Sequence, residues 1–388
     1  MVKLLRPVWP AVVFSALSPT RLHDIPEPEL PGRRWVRVQN KQCGICASDL
    51  SLMYVDVDPV IAPAALPTMQ RFYLGHEVVG NVTEVGAGVT RLKVGDRVLM
   101  DTRFQGSTCL SQEIDPPCTQ CAAGNPQRCE NTAVDTGGHG VGGGWGDGFT
   151  AHETELYRVP DELTDDQAML IEPMSTGMRA VLSRRPAAGQ RALIVGSGMV
   201  GLSTLQSLRA VVPECRITVF ARHAHQAEIA RRLGADEVVR GEDGYQAAAR
   251  LTGAKLYKEM FGNRMLLGGF DVIYDCVGSA RTLHDNLRWA RAGGSVVLVG
   301  VKLYPFKIDL TPIWFQEVML TGVFAHGAEP WPGGPRHTYD VVIELLRQGK
   351  LTTDGFITHR FALEKWQEAV ATARDKRTGS IKVVLQYS

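Results

Sequence analysis

A histidine and a glutamate stand side by side, His76 and Glu77, in the otherwise apolar, glycine-punctuated run LGHEVVGNVTEVGAGV, residues 74–89. A histidine in apolar surroundings is ordinarily a satisfied core residue, so its role depends on what else in the chain can share its chemistry. The cysteines supply that company. Eight occur, at 43, 46, 109, 118, 121, 129, 215 and 276, and six of them precede residue 130. Such clustering in a long chain read as cytoplasmic favours metal binding or catalysis over a disulfide framework. CGICASDL contributes Cys43 and Cys46, and LIEPMSTG contributes Glu172. A catalytic zinc takes three protein ligands from the Cys, His and Asp/Glu set and keeps a position open for water or substrate. Cys46, His76 and Glu172 make such a set if the fold brings them together, which spacing alone leaves open.

A second kind of chemistry is written in GSGMVG. Gly196, Gly198 and Gly201 follow the apolar run ALIV and open a helical pattern, with Ser197, Met199 and Val200 between them. One glycine permits a tight turn, the second lets backbone approach a pyrophosphate, and the third lets helix pack on strand. The helix N-terminus then offers free N–H groups and a positive dipole end to the phosphates. The next strand, ITVF, ends in Ala221, Arg222 and His223, where an acidic residue would hold the ribose hydroxyls of NAD. A guanidinium there suits the extra phosphate of NADP, so NADP(H) is favoured over NAD(H). Cys276 and Val277, closing FDVIYDCVG, belong to the same expected cofactor site.

The elements that must position these residues change in grammar near residue 185. Before it, short alternating segments such as RRWVRVQN and GDRVLM are separated by Gly, Pro and Asp, the pattern of an antiparallel β-rich domain. From Gln190 onward, apolar strands alternate with helical stretches, which predicts βαβ units and a doubly wound parallel sheet. After Val323 the β pattern partly returns in GFITHRFAL and GSIKVVLQY. The expected division is therefore 1–174 with 324–388 for the β-rich part and 175–323 for the dinucleotide-binding part. At 388 residues the chain exceeds what one core ordinarily serves. Lys+Arg 42 against Asp+Glu 41 leaves a net charge of +1, with no basic stripe, so neither nucleic acid nor an anionic membrane is an expected partner. The N-terminal MVKLLRPVWPAVVFSALS weakly imitates a secretory signal, but Pro7 and Pro10 interrupt it and AVVF reads equally well as a buried first strand. No apolar run approaches the ~20 residues of a membrane span, and the chain is expected to be cytoplasmic.

Together these residues resemble a family. The run from Gly75 is similar to the zinc-containing alcohol dehydrogenase signature at Gly75, His76, Glu77, Gly80, Gly86 and Val89, and CGICASD, VGDRV and GSGMVGL resemble further segments of the same family in the same order. The chain is identified as a member of the medium-chain dehydrogenase/reductases, which implies an α/β protein with a GroES-like β-rich catalytic domain and a Rossmann cofactor domain. The resemblance makes Cys46 and His76 zinc ligands, puts Glu77 in direct or water-mediated contact, and leaves Cys43 a small buried residue. Glu172 matches the glutamate of the sorbitol, threonine and glucose dehydrogenase branches, which implies a sugar, polyol or amino-alcohol substrate and a zinc-dependent hydride transfer to or from NADP(H) or NAD(H). Ser48 resembles the hydroxyl that takes the first proton, although a serine at this place also caps turns.

The resemblance also has departures. Ser51 stands where the family's relay histidine is expected. In EIDPPCTQCAAGNPQRCEN, Cys118, Cys121 and Cys129 match the last three cysteines of a structural-zinc motif, but the first position falls on Asp115. Asp115 is the favoured fourth ligand; the alternatives are Cys109 or a metal-free lobe. The segment from Ser51 to Tyr73 is long and either lines the substrate mouth through Met53, Tyr54, Met69, Phe72 and Tyr73 or is a packed loop. KLYKEMFGNRMLLGG is likewise longer than the family suggests. A zinc-free quinone or enoyl reductase, or a cofactor-binding sensor, shares this architecture but has no use for Cys46, His76 and Glu172 together. The expected assembly is a homodimer or homotetramer.

Overall fold

The computed structural model describes residues 2–56, 58, 72–101, 105–132, 140–258, 260–300 and 302–387. AVVF is not a strand. Pro10 presets the backbone of a 3-10 turn, Pro10–Phe14, which sinks Val12 and Val13 into a cluster with Ile45, Met53, Tyr54 and Trp366. The first long strand is β1 (Trp35–Gly44), and helix α1 (Ala47–Met53) follows it at once. Strand β2 (Glu77–Val85) runs antiparallel to β1 in a register that sets Gly44 across from Glu77 and Cys43 across from Val78. The end of CGIC and the start of HEVV are thereby brought together by backbone pairing alone. Strands β3 (Arg97–Met100), β4 (Gly148–His152) and β5 (Leu156–Arg158) extend the sheet, β4 pairing with β1 and β5 with β3. Helix α2 (Asp165–Ser183) carries Glu172 and, at Pro173, the division between two compact units.

The second unit, Pro173–Gly355, is built on six parallel strands: β6 (Arg191–Val195), β7 (Arg216–Phe220), β8 (Glu237–Val239), β11 (Phe270–Asp275), β12 (Ala290–Leu298) and β13 (Met319–Gly322). Their order is β13-β12-β11-β6-β7-β8, so the winding reverses between β6 and β11. Ligands bind outside the carboxyl ends of strands at such a reversal. The long segment KLYKEMFGNRMLLGG folds into a separate hairpin, β9 (Lys255–Lys258) with β10 (Arg264–Leu267), whose Leu266 is buried with Phe270 and Trp289.

The chain returns to the first unit at Phe356, later than the 324 expected. Residues 324–355 stay with the second unit because their polar groups are satisfied there: Glu329 pairs with Arg179 at 2.6 Å, and the Thr352 N–H donates to Gln206 at 2.9 Å. After Phe356, β14 (Ile357–Ala362) lies parallel to β15 (Lys382–Gln386), and β15 pairs with β1. Buried valines on β1, β2 and β3, with Met100, close the first unit's core with Phe149 and Leu156. Among the described residues, no helix is long and apolar enough to cross a membrane.

Candidate active site

Three strand ends converge where the sequence placed its chemistry: the end of β1, the start of β2 and the start of β15. Cys46 caps α1, its N–H donating to Asp49 Oδ2 at 3.1 Å, and Asp49 Oδ1 lies 3.3 Å from His76 Nδ1. One buried carboxylate thus ties the helix carrying the cysteine to the strand entry carrying the histidine. Ligand atoms of Cys46, His76 and Glu77 lie within 4.8 Å of one another. Lys382, the first residue of β15, donates to both carboxylate oxygens of Glu77, at 2.7 Å to Oε1, and to the Ile45 carbonyl at 3.3 Å. Glycine makes this packing possible. A Cβ on Gly44 would stand 2.2 Å from Glu77 Oε2, and Gly75 takes φ +88° where a Cβ would meet Trp145 at 2.5 Å.

The electrostatics of this cluster are dense. Burial works against a charged His76, yet Asp49 and Cys46 outweigh it and hold the ring well above its ordinary pKa. Burial likewise disfavours a charged Lys382, but Glu77, Cys46 and Glu172 keep the ammonium protonated.

Glu172 is not one of the three groups gathered within 4.8 Å. Its carboxyl is close enough to feel His76, Glu77, Lys382 and Asp49, and burial pushes it up to about 7. Cys43 is fully buried, as expected of a packing residue, with its pKa raised chiefly by that burial. Ser48 is the second residue of α1 and half-buried. The Ser51 hydroxyl donates to the Ala47 carbonyl of its own helix at 3.0 Å. Met53 and Tyr54 line no mouth: both are core residues, and Tyr54 has the Arg374 guanidinium 3.7 Å from its ring centre. Met69 and most of the Ser51–Tyr73 segment lie outside the described residues.

The cysteine lobe corrects one expectation. Its fourth member is Cys109, not Asp115: the sulfurs of Cys109, Cys118, Cys121 and Cys129 lie within 4.8 Å of one another, whereas Asp115 is exposed. The sulfurs receive N–H donors from Cys109 and Asn131 at 3.3 Å, from Cys118 and Glu130 at 3.4 Å and from Cys121 at 3.5 Å. The donors of Glu130 and Cys121 lower Cys118 to about 6, whereas burial raises the thiols of Cys121 and Cys129. The spacing Cys109 to Cys118 gave no sign of this, because the intervening chain loops back.

In the second unit, GSGMVG forms the turn predicted for it. Gly196 follows β6 with φ +93°, Gly198 caps helix α3 (Met199–Val211), and a Cβ on Gly201 would lie 1.8 Å from the Gly196 carbonyl oxygen. Val277 faces the same turn, 2.6 Å from where a Gly196 Cβ would be. Ser197 directs its hydroxyl to Gln226 at 3.2 Å, and Cys276 is a half-buried thiol pushed up to about 12 by desolvation, 3.7 Å from the Thr204 hydroxyl. Met199 and Val200 supply the first backbone N–H groups of α3. Arg222 is exposed and makes no ion pair among the described residues, while His223 immediately precedes helix α4 (Ala224–Arg232) without a side-chain capping bond.

The chain matches the alcohol dehydrogenase GroES-like domain over residues 32–161 and the zinc-binding dehydrogenase family over residues 200–347. It belongs to the zinc-type medium-chain dehydrogenase/reductase family. It is 29% identical to L-idonate 5-dehydrogenase of Vitis vinifera over 350 residues, 90% of this chain and 87% of that protein. It is also 29% identical to (R,R)-butanediol dehydrogenase of Saccharomyces cerevisiae, with 94% of each chain covered. A solved structure of a putative zinc-binding dehydrogenase from Sinorhizobium meliloti bound to NADP is 26% identical, covers 95% of each chain and has a TM-score of 0.72.

The residues of this medium-chain dehydrogenase/reductase fit the metal its family name implies, since both clusters offer soft or borderline donors at chelating separations. Sequence reasoning missed Asp49 and Lys382. Asp49 had a local signal, lying at the third helical position after Cys46, where a carboxylate caps an N-terminus. Lys382 had none, because 305 residues separate it from Glu77.

Proposed function

We propose that this chain is a zinc-dependent oxidoreductase that passes a hydride between NADP(H) and the alcohol or carbonyl carbon of a polyfunctional substrate, a sugar, polyol or amino alcohol. The observation that carries this reading is the gathering of Cys46, His76 and Glu77 within 4.8 Å, with the Glu172 carboxyl acting on the same groups. Cys46, His76 and Glu172 would hold the catalytic ion with Glu77 in direct or water-mediated contact, and the four cysteines 109, 118, 121 and 129 would hold a structural one. When bound, zinc supplies Lewis-acid chemistry, lowering an alcohol's pKa or polarising a carbonyl. Asp49 orients His76, in the way that partners behind a ligating histidine fix its ring. Lys382 holds Glu77 in place as a paired carboxylate beside Cys46 and His76. Ser48 would take the first proton from the substrate hydroxyl while passing its own hydroxyl proton onward, so that the serine stays neutral. Ser51, committed to its own helix, does not continue a relay, so the proton leaves by another route. An oxygen-rich set of Glu172 and Glu77 suits a substrate with a second polar group, and the names of the idonate and butanediol relatives agree with that class.

The test is a panel of sugars, polyols, amino alcohols and simple alkanols assayed with both cofactors at saturating zinc. Polyfunctional secondary alcohols with NADP should give the highest kcat/KM. Highest values for unfunctionalised primary alcohols would overturn the substrate class. Cys46→Ser should abolish turnover while NADP(H) binding persists, and activity retained in that variant after exhaustive chelation would overturn the zinc chemistry.

A further inference from the structure

Cys118, Cys121 and Cys129 come from one short stretch that organises itself: Cys118 caps a helical turn, Thr119–Ala122, and its sulfur accepts the Cys121 N–H at 3.5 Å. Cys109 does not share that stretch. It sits at the middle of the turn 106–111, and something outside the lobe must hold the turn in place. Glu155 does this. It is fully buried, in the 3-10 turn between β4 and β5, and makes no ion pair among the described residues. Both of its oxygens accept the Gly106 N–H, at 2.8 and 2.9 Å, and one accepts the His152 N–H at 3.3 Å. The Ser107 N–H and the Ser111 hydroxyl also bond to it. The carboxylate therefore grips both ends of the turn. Between those ends, Thr108 and Ser111 exchange N–H to hydroxyl bonds at 3.0 and 3.2 Å, and the Cys109 carbonyl accepts the Ile114 N–H at 2.9 Å.

A buried carboxylate without a cation is costly unless its acceptor positions are filled. Here they are filled by the turn that delivers Cys109. We propose that Glu155 is a positioning residue for the cysteine lobe, holding the turn 106–111 so that the Cys109 sulfur joins those of Cys118, Cys121 and Cys129 and the lobe retains its metal. This rests on the reading of the lobe as a metal site.

The experiment loads full-length wild type, Glu155→Gln, Glu155→Asp and Cys109→Ser with cobalt(II) and with zinc. It reads the sulfur-to-cobalt charge-transfer absorbance, the rate of zinc release to a chelator, and Tm. A glutamine turns an amide N–H₂ towards donors, so Glu155→Gln should release zinc at least tenfold faster and lose the same increment of charge-transfer intensity as Cys109→Ser. Read as differences from wild type, these changes are free of the contribution of Cys46. Glu155→Asp, which keeps the carboxylate, should fall between wild type and Glu155→Gln. A lowered Tm with unchanged release rate and unchanged absorbance would overturn the proposal. Absence of thiolate-to-cobalt absorbance from the lobe in wild type would overturn the metal reading itself, and is told apart because Cys109→Ser would then change nothing. If Glu155→Gln does not fold, Ser111→Ala removes one contact to the carboxylate and should still speed zinc release; an unaltered rate there would overturn the role of Glu155.

Discussion

Arg222 stands just beyond β7 with no acidic partner among the described residues, and the neighbouring Ala221 leaves no carboxylate to repel a phosphate. A charge-assisted contact from a guanidinium to a phosphate contributes about 1.5–3 kcal/mol, roughly ten- to a hundredfold in affinity. Arg222→Ala should therefore weaken NADP(H) by that factor and leave NAD(H) nearly unchanged; calorimetric titration with both cofactors checks this, and tighter NAD(H) in wild type would refute the preference. Glu155 makes a prediction about pH. Burial raises its carboxyl to about 7 from the usual 4.5, despite four hydrogen-bond donors. The native state consequently binds this proton more tightly than the unfolded chain does. Stability is unaffected by it below pH 4.5, falls as pH rises towards 7, and above 7 bears the whole cost, at most about 3 kcal/mol. Glu155→Gln has no such titration, so the stability difference between wild type and variant should shift in the variant's favour from pH 5 to pH 7.5. Denaturant unfolding at the two pH values measures it, and a constant difference would contradict the buried-carboxyl account.

At the scale of elements, the site is made by register. Gly44 faces Glu77 across the β1–β2 pair and Val384 across the β1–β15 pair, so Lys382 reaches Glu77 from the third strand. Only a residue without a side chain fits between them. In Gly44→Ala the new methyl would sit 2.2 Å from Glu77 Oε2, 3.0 Å from Met169 Sδ and 3.1 Å from Lys382 Cδ. Glu77 is pinned by its ion pair and cannot withdraw cheaply, so overpacking should cost about 1–3 kcal/mol. A lower Tm together with reduced zinc content is the expected result; unchanged values of both would show that the strand ends yield. The same reasoning explains why the HEVVG motif was legible: Gly80 and Gly86 face carbonyl oxygens of Gln39 and Arg33, at 2.4 and 2.3 Å from a notional Cβ, so each glycine marks a close backbone approach.

At the scale of the whole molecule, the parallel sheet ends at β13, which pairs only with β12 among the described strands. Met319 and Leu320 on that strand are 51% and 36% exposed, and Trp314, Phe315 and Phe324 beside it are 80%, 59% and 54% exposed. A free sheet edge flanked by so much apolar surface favours pairing with another chain. A second copy offers the same edge, and two copies can satisfy each other about a twofold axis. The chain is expected to sediment as a dimer or a multiple of it, and Leu320→Lys should shift it towards monomer. A wild-type monomer at micromolar concentration in analytical ultracentrifugation would exclude this pairing.

Local pattern was enough for much of this. The strand–turn–helix around Gly196, the alternation of strands and helices from Gln190, and the pairing of His76 with Glu77 are dictated by neighbours in sequence, because turn geometry and hydrophobic periodicity act over a few residues. Tertiary structure decided the rest. Spacing favoured Asp115 over Cys109 as the fourth member of the cysteine lobe, and the fold chose Cys109 because a distant buried carboxylate holds its turn. Sequence left Tyr54 either a mouth or a packed-loop residue, and the fold packs it with Phe14, Trp366 and Arg374; the return to the first unit waits until Phe356 because Glu329 and Thr352 find their partners in the second. Lys382 meets Glu77 only because β15 lies beside β1. Contacts between residues hundreds of positions apart depend on strand order and register, and those are settled by burial of the whole sheet rather than by any short stretch of chain.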